Sequence, residues 1–376
     1  MKYKYFVYLI SIFFFIGCKQ KQENNYGFDT EIYNPEYSSG FSINSDKDSL
    51  NVIINIYNPW QGAENISSKF LISNNNVSSP VQHDQWIKGE AKRIVCMSST
   101  HVAMLDALGS IDRIVGVSGK QYISNPYIKE HEDEIVDIGY EGNIDYEKLL
   151  ALRPDIVLLF SINGASSMEP KLKELGIPFI YIGDYLEEDP LGKTEWIIPI
   201  AELIGRREMG INKFNEIVKN YNSLKDSVAN NCKDKPKVML NAPLGDSWFM
   251  PSTKSYVAQM MKDAGAEYIY TKNTGNTSKP IDMEEAFSLV SKADFWLNIG
   301  TMNSQEEVKA NFPKFSKENC IVNKNLYNNN FRSTSGGGND CYESGVVSPH
   351  IILRDLIKVF HPELVKEEFV YYQNLE

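Results

Sequence analysis

The chain has 376 residues and a formal net charge of −11 at pH 7. Its lysines and arginines are scattered along the sequence, so the composition argues against a nucleic-acid partner, which would require a basic face. The length exceeds that of one ordinary hydrophobic core and predicts two domains.

The first residues have the pattern of a secretory leader. A basic head, MKYK, precedes the apolar run YFVYLISIFFFIG, which is shorter than the about 20 residues of a membrane-spanning helix. The run ends at FIGC, which resembles a lipoprotein processing site. We therefore predict a signal peptide over residues 1–17 and a lipid anchor on Cys18, with an uncleaved anchor as the alternative. In either case we expect the rest of the chain to lie in the cell envelope, facing the periplasm.

Residues 18–48 are rich in Asn, Ser, Asp, Lys and Gln and are predicted to form a tether. LNVIINIYNPW alternates like a strand and KFLISNN looks like its hairpin partner, so residues 49–91 are predicted to form a small β appendage. Over residues 92–193, short continuous apolar runs such as IVLLF and IPFIYI alternate with helical patterns of about ten residues. This alternation is typical of a parallel sheet that is covered on both faces.

A long helical pattern occupies residues 194–231, where apolar residues recur at helical spacing from Leu203 to Val228. The alternative is a break at the segment GRREMG that divides this helix in two. The strand–helix alternation then restarts over residues 232–376. The predicted fold class is α/β, with two parallel-sheet α/β lobes joined by a long spine helix and the β appendage at the N terminus. A cleft between two such lobes is where a small ligand binds.

The sequence gives little support for metal or enzyme chemistry. Apart from Cys18, the cysteines are Cys96, Cys232, Cys320 and Cys341; they form no Cys-x-x-Cys motif and no His/Cys cluster, so we predict no metal site. Cys320 and Cys341 are candidates for a disulfide, and free buried thiols are the alternative. No Gly-x-Ser-x-Gly motif is present, so we do not expect an α/β hydrolase or another enzyme.

One phrase occurs twice, as IDYEKLLALRPDIVLLF and IDMEEAFSLVSKADFWLNI. Each copy begins Ile-Asp-x-Glu, continues as a helical pattern, reaches an Asp and enters an apolar run. Asp145 and Asp282 are good N-cap residues, which places Glu147 and Glu284 in the first turn of two equivalent helices. Acidic residues in a first turn also favour the helix dipole without any partner, so the residues alone leave two roles open.

Together these features resemble the substrate-binding lipoproteins of ABC importers for iron chelates, haem and cobalamin. The resemblance runs from about Lys92 to Pro362 and is carried by RIVCMSSTHVAMLDALGSIDRIVGVSG, SYVAQMMKDAGAEYIY, GVVSPHIILRDLIKVFHPEL and both copies of the repeated phrase. It is closest to a branch from Bacteroides-like bacteria, whose members carry NPWQGAE-like and GGGND-like segments. It implies the periplasmic-binding fold with a helical backbone, often called class III.

The resemblance also implies partners and cargo. Glu147 and Glu284 would dock into arginine pockets on the two permease subunits of the transporter. The cargo would be a small-molecule metal chelate, either an iron(III) siderophore or a corrinoid such as cobalamin, with haem as the alternative. We expect no cofactor and no nucleic acid, and a monomer held at the membrane by its lipid anchor. A tethered binder that delivers its cargo to a different partner is a further alternative.

Loops that follow the strands should line the cleft. The candidate ligand-binding residues are Ser99, Thr100, His101, Tyr122, Tyr140, Trp248, Thr253, Met302, Arg332 and Tyr342. Aromatic side chains would hold a bulky flat ligand, and Arg332 would meet a carboxylate or phosphate. His101 has helix capping as its alternative role and Trp248 has core packing. The segment SGGGND is predicted to be a loop of the cleft, with an anion cradle as the alternative, and no pair of axial ligands for haem is visible.

Overall fold

A computed structural model describes residues 27–47, 51–74 and 82–376. The predicted signal peptide over residues 1–17 and the predicted lipidation site Cys18 lie outside the described residues. Within the described part, the chain forms an N-terminal β sheet, two α/β lobes and a long helix that connects the lobes.

The N-terminal sheet consists of β1 (Thr30–Tyr33), β2 (Phe41–Ser45), β3 (Asn51–Tyr57), β4 (Ser67–Ser73) and β5 (Gln85–Lys88), paired in that order. β3 and β4 pair antiparallel, which confirms the hairpin prediction. β1 and β2 fall in the predicted tether, so the tether prediction is wrong for residues 27–47. Phe41 and Ile43 are buried at 2% and 0% exposure, an alternation that the polar composition of this segment concealed.

The first lobe contains β6 (Ile94–Cys96), α1 (Ser99–Ala107), β7 (Ile114–Val117), α2 (Pro126–Glu130), β8 (Val136–Asp137), α3 (Tyr146–Leu152), β9 (Ile156–Leu159), α4 (Glu169–Leu175) and β10 (Phe179–Tyr181). Its strands pair in the order β10-β9-β6-β7-β8, and all of them are parallel. β6, β9 and β10 are wholly buried, as expected for a parallel sheet that is covered on both faces.

The connection between the lobes is formed by α5 (Pro190–Glu195), α6 (Ile197–Leu203) and α7 (Arg207–Asn231). The prediction of one helix over residues 194–231 is therefore wrong near its start. Gly205 has a φ of +70°, in the left-handed region, and this residue separates α6 from α7. α7 has 25 residues and therefore spans about 37 Å as the spine of the molecule.

The second lobe contains β11 (Lys237–Leu240), β12 (Trp248–Met250), α8 (Tyr256–Asp263), β13 (Glu267–Tyr268), β14 (Lys279–Ile281), α9 (Met283–Val290), β15 (Phe295–Leu297), α10 (Gln305–Asn311), α11 (Asn319–Val322), β16 (Leu326–Asn328), α12 (Pro349–Phe360) and β17 (Gln373–Asn374). Its main sheet has the order β13-β11-β15-β16-β17 and is parallel except for the edge strand β17. β12 and β14 form a separate antiparallel ribbon.

The two copies of the repeated phrase occupy equivalent places. In the first lobe α3 leads into β9, which lies beside the first strand β6; in the second lobe α9 leads into β15, which lies beside the first strand β11. In each copy, the aspartate that precedes the strand β9 or β15 accepts a backbone N–H at the start of the lobe's first strand. A carboxylate oxygen of Asp155 accepts the Arg93 N–H at 2.9 Å, and one of Asp294 accepts the Lys237 N–H at 2.7 Å. These bonds hold the first strand of each lobe beside the repeated unit.

Two parallel-sheet lobes and a long connecting helix confirm the predicted fold class. The four described cysteines, Cys96, Cys232, Cys320 and Cys341, are free thiols, so the Cys320–Cys341 disulfide is not formed. Burial raises the pKa of Cys96, Cys320 and Cys341, which keeps these thiols protonated.

Candidate ligand-binding site

A cavity of about 290 Å³ lies between the lobes. The first lobe and α5 contribute Ser98, Thr100, Phe160, Ile162, Asp184, Tyr185, Pro190 and Lys193. The facing side is formed by Tyr256 and Met260 of α8, by Cys341, Tyr342, Gly345 and Val346, and by Pro349 and Ile352 of α12. Several of the first-lobe residues follow the carboxyl ends of β6, β9 and β10, the edge at which open α/β sheets bind ligands.

The walls of this cavity are largely aromatic and aliphatic. Phe160 and Tyr185 meet edge to face with ring centroids 6.3 Å apart. Tyr342 is half exposed, and its hydroxyl accepts a hydrogen bond from the Asn329 side chain at 2.8 Å. Rings held in fixed positions offer apolar surface and lose little side-chain entropy when a ligand binds. Such a surface suits a bulky ligand with a flat or hydrophobic edge.

The floor of the cavity carries a buried charged pair. Asp184 is 2% exposed, and one of its carboxylate oxygens accepts a hydrogen bond from the Thr100 hydroxyl at 3.4 Å. The Lys193 ammonium donates to the Asp184 backbone carbonyl at 3.1 Å and lies 3.8 Å from the second carboxylate oxygen. Burial raises the pKa of Asp184 and lowers that of Lys193, while the opposite charge of each partner counters both shifts.

A second cavity, of about 600 Å³, lies between the N-terminal sheet and the loop that follows β10. It shares Tyr185 with the first cavity, and it is also lined by Trp60, Glu187 and, from the second lobe, Asn276. The Gln61 N–H donates to the Tyr185 hydroxyl at 3.2 Å. The NPWQGAE segment of the N-terminal sheet therefore extends one side of the cleft.

Thr100 and Tyr342 are the two predicted site residues that line the inter-lobe cavity. His101 and Trp248 do not, and the structure contradicts their predicted ligand contacts. His101 is 0% exposed, and burial lowers its pKa to about 3, so it is a neutral core residue. Trp248 is also 0% exposed; its indole N–H donates to the Leu240 carbonyl at 2.8 Å, and core packing is its role.

Four further candidates are engaged away from this cavity. Ser99 does not line the cavity, whereas its neighbour Ser98, which caps α1, does. The Thr253 hydroxyl donates to the Asn273 carbonyl at 3.2 Å, and the Met302 sulfur accepts a hydrogen bond from Asn311 at 3.5 Å. The Arg332 guanidinium lies 3.1 Å from the Asp340 carboxylate.

Tyr122 and Tyr140 are 45% and 51% exposed, and both rings lie close to Gly119 in the first lobe. They do not line the inter-lobe cavity. Both rings are exposed, so their contact with a ligand stays a prediction.

The prediction missed Phe160, Asp184, Tyr185, Lys193 and Tyr256. A signal was present for the first three, because Phe160 directly follows the strand IVLL, and Asp184 and Tyr185 follow IPFIYI. The rule that loops after strands line the cleft applied to these two loops as well. Lys193 and Tyr256 lie within helices, and only the packing of α5 against α8 brings them to the cavity.

The segment that contains SGGGND crosses from the second lobe to the first. The Glu343 carboxylate accepts the Ser124 and Asn125 backbone N–H groups at 2.6 and 2.8 Å. A Cβ on Gly338 would lie 1.9 Å from the Tyr122 carbonyl oxygen, so only glycine allows this approach. The glycine run packs against the backbone of the other lobe, and this contact replaces the anion cradle considered from the sequence.

Glu147 and Glu284 are exposed, each at the second position of its helix, α3 and α9. Asp145 accepts the Lys148 N–H at 3.0 Å and Asp282 accepts the Glu285 N–H at 2.8 Å, which confirms both predicted N-caps. Within the described residues, the carboxylates of Glu147 and Glu284 form no hydrogen bond or ion pair. Both remain available to a partner.

Residues 94–329 match the model of the periplasmic binding protein family. The chain belongs to this family. An uncharacterized lipoprotein of Methanocaldococcus jannaschii is 25% identical over 338 residues, which cover 83% of this chain and 79% of the relative. An uncharacterized ABC transporter substrate-binding lipoprotein of Bacillus subtilis is 30% identical over 146 residues, which cover 38% of this chain and 43% of the relative.

Solved structures of the same fold include a periplasmic heme-binding protein from Pseudomonas aeruginosa. It has a TM-score of 0.59 and 16% identity, and the match covers 76% of this chain and 98% of that chain. An ABC-type Fe3+-hydroxamate transport system structure from Saccharomonospora viridis has a TM-score of 0.54 and 16% identity, with 73% and 94% of the two chains covered. At this identity the likeness shows the fold alone, in agreement with the predicted class.

Family membership makes the protein a binding component of a transport system in the cell envelope. In the part of the chain that the structure describes, no helix is long and apolar enough to cross a membrane. The assignment to a Bacteroides-like branch of the family stays a prediction.

Proposed function

We propose that the protein is the substrate-binding component of an ABC importer and captures an iron(III) siderophore or a corrinoid between its lobes. The observation that carries the proposal is the aromatic-walled cavity at the carboxyl ends of the first-lobe strands, faced by α8 and α12 of the second lobe. A solved structure of the same fold belongs to an Fe3+-hydroxamate transport system, which supports this ligand class.

Haem is the second candidate, because another protein of this fold is described as heme-binding. The histidine and the methionine among the candidate site residues do not favour haem, because neither offers an axial ligand to the cavity. His101 is buried in the core, and the Met302 sulfur accepts a hydrogen bond from Asn311. A haem bound here would have to take its axial ligands from other side chains.

The proposed ligand contacts come from both lobes. Thr100 lies at the floor of the cavity and Tyr342 at its wall. Tyr122 and Tyr140, with their exposed rings, would hold the part of a large chelate that extends beyond the cavity.

We further propose that Glu147 and Glu284 dock on the two permease subunits. Both are exposed and unpaired within the described residues, and they occupy equivalent helices of the two lobes. Arginine side chains on the permease would pair with both carboxylates and thereby fix the orientation of the binding protein. The protein would act as a monomer, held at the membrane through a lipid on Cys18.

The test is a titration of the purified protein, without its leader, with ferric desferrioxamine B, cyanocobalamin and haemin. Absorption of each chelate and quenching of protein fluorescence report binding. We expect one chelate to bind with micromolar affinity or better, and Tyr342→Ala to weaken it about tenfold through loss of a wall of the cavity. Trp86→Ala, a change on an exposed ring of β5, is the matched control and should leave affinity unchanged. Binding of none of the three would reject the proposal.

A further inference from the structure

The charged pair on the floor of the cavity is incomplete. Asp184 is 98% buried, yet its second carboxylate oxygen, Oδ2, has no hydrogen-bond donor. The nearest cation, the Lys193 ammonium, stands 3.8 Å away from this oxygen and 4.7 Å from the centre of the Tyr256 ring. All three residues line the inter-lobe cavity.

Ion pairs in the described part of the chain differ in closure, and Lys92–Glu90 at 3.9 Å and Lys358–Glu368 at 3.6 Å are about as open as Asp184–Lys193. Lys171 and Glu174 meet at 2.7 Å, and Lys173 and Glu169 at 2.9 Å, with direct hydrogen bonds. Those pairs lie on the surface, where water would satisfy either group alone. Among the pairs separated by 3.6 Å or more, Asp184–Lys193 is the one in which both side chains are mostly buried, and there a missing donor costs the most free energy. Because Asp184 lines the cavity, its buried oxygen without a partner indicates that the partner comes from what fills the cavity.

The charges of the pair restrict that partner. A ligand carboxylate would lie against the Asp184 carboxylate, and a ligand ammonium would lie against Lys193. An uncharged group with a donor and an acceptor side by side satisfies both residues, and a carboxamide is such a group. The surrounding walls are apolar, so the rest of the inserted portion must be apolar as well.

We propose that Asp184 and Lys193 together bind an amide of the ligand. The amide N–H donates to Asp184 Oδ2, and the amide oxygen accepts from the Lys193 ammonium. This inference rests on the proposed function and narrows its ligand class: the cavity takes the amide-bearing edge of a chelate and rejects an edge that ends in carboxylates. At about 290 Å³ the cavity holds only such an edge, and the adjoining cavity that shares Tyr185 receives more of the ligand.

The test compares two corrinoids that differ at their rim. Dicyanocobinamide carries peripheral carboxamides, and dicyanocobyrinic acid carries carboxylates in their place; ferric desferrioxamine B, which contains amides, and haemin, which contains none, complete the set. For the wild-type protein we expect the amide corrinoid to bind at least about tenfold more tightly than the acid. Asp184→Asn removes the repelling charge and should bring the two affinities within about threefold of each other.

Lys193→Met should weaken the amide corrinoid at least about tenfold, because the amide oxygen loses its donor. Lys171→Met, which opens a surface ion pair with Glu174, is the control and should change neither affinity. If ferric desferrioxamine B is the chelate that binds, Asp184→Asn should weaken it at least about tenfold and Lys171→Met should not.

Three results would overturn the inference; the first two leave the proposed ligand class standing, and the third replaces that class with haem. The first is an amide-to-acid affinity ratio that Asp184→Asn leaves unchanged, as a purely structural pair would give. The second is binding of ferric desferrioxamine B that this substitution does not affect. The third is binding restricted to haemin. Failure of all four chelates to bind rejects the proposed function itself, and the inference falls with it.

Discussion

Glu343 joins the two lobes through a carboxyl group whose pKa changes on folding. Its carboxylate accepts two backbone N–H groups of the first lobe. Burial, together with the nearby charge of Asp340, raises its pKa from the ordinary value of 4.5 to about 7, although the two N–H groups oppose this shift. The folded protein therefore holds a proton on Glu343 at pH values where the unfolded chain has released it.

This shift has a definite sign in stability. A carboxyl group whose pKa is raised on folding contributes stability that is fully present below pH 4.5 and is lost as the pH rises to about 7. We expect the wild-type protein to lose up to about 3 kcal/mol of unfolding free energy over this window through Glu343. Glu343→Gln should flatten the profile, as measured by urea unfolding between pH 4.5 and 7.5. Superimposable profiles for the two proteins would contradict the assignment.

At the residue scale, the sequence indicated which residue types could bind a ligand. It did not indicate which neighbours each of these side chains would have after folding. Ser, Thr and His at the start of α1 indicated a polar loop end, but the helix turns His101 into the core and Thr100 toward the cleft. Arg332 looked free to meet an anion until folding placed Asp340 beside it. Asp184 and Lys193 are nine positions apart in the sequence, and no local pattern pairs them.

At the scale of elements, the repeated unit explains why the chain has two similar lobes. Each copy supplies a capped helix, an aspartate that binds the first strand of the lobe, and the strand beside it. The sequence predicted the helices, the strands and their equivalence, because each depends on neighbouring residues alone. It offered the break at Gly205 as an alternative, and it did not predict the two-residue strands β8 and β17 or the strands within residues 27–47, which depend on tertiary pairing.

The aspartate of the second copy gives a direct test of this unit. Asp294→Ala removes the acceptor of the Lys237 N–H and should lower the unfolding free energy by about 1 kcal/mol, since the bond is charge-assisted but exposed to solvent. Asp294→Asn keeps an acceptor and should cost less. Asp246→Ala, in an exposed turn, is the control and should change stability by no more than about 0.5 kcal/mol. Equal effects of Asp294→Ala and Asp246→Ala would refute the strand-anchoring role.

At the scale of the whole molecule, two features limit motion between the lobes. The 25-residue α7 is a continuous connection, unlike a glycine-rich hinge, and it packs along both α6 and α12. The segment around Gly338 and Glu343 joins the lobes a second time. A molecule held at two places should close only slightly around a ligand.

Solution scattering of the protein with and without its bound chelate checks this expectation. We expect the radius of gyration to change by less than about 0.5 Å, far less than in binding proteins that close about a hinge. Glu343→Gln with Gly338→Ala, which weakens the second connection, should increase the change. A closure of hinge type in the wild-type protein would show that α7 does not act as a rigid spine.

The central claim is that one molecule captures a chelate between its lobes and presents one glutamate from each lobe to a permease. Its most direct test is uptake of the labelled chelate by cells that carry Glu147→Ala with Glu284→Ala, alongside the ligand affinity and melting temperature of the same purified variant. Each carboxylate that loses an arginine partner typically costs an interface about 2–5 kcal/mol, so uptake should fall at least about tenfold. Ligand affinity and melting temperature should stay close to wild type, because Asp145 and Asp282 still cap their helices. Normal uptake with a lowered melting temperature would contradict the account and leave both glutamates with a role in helix stability alone.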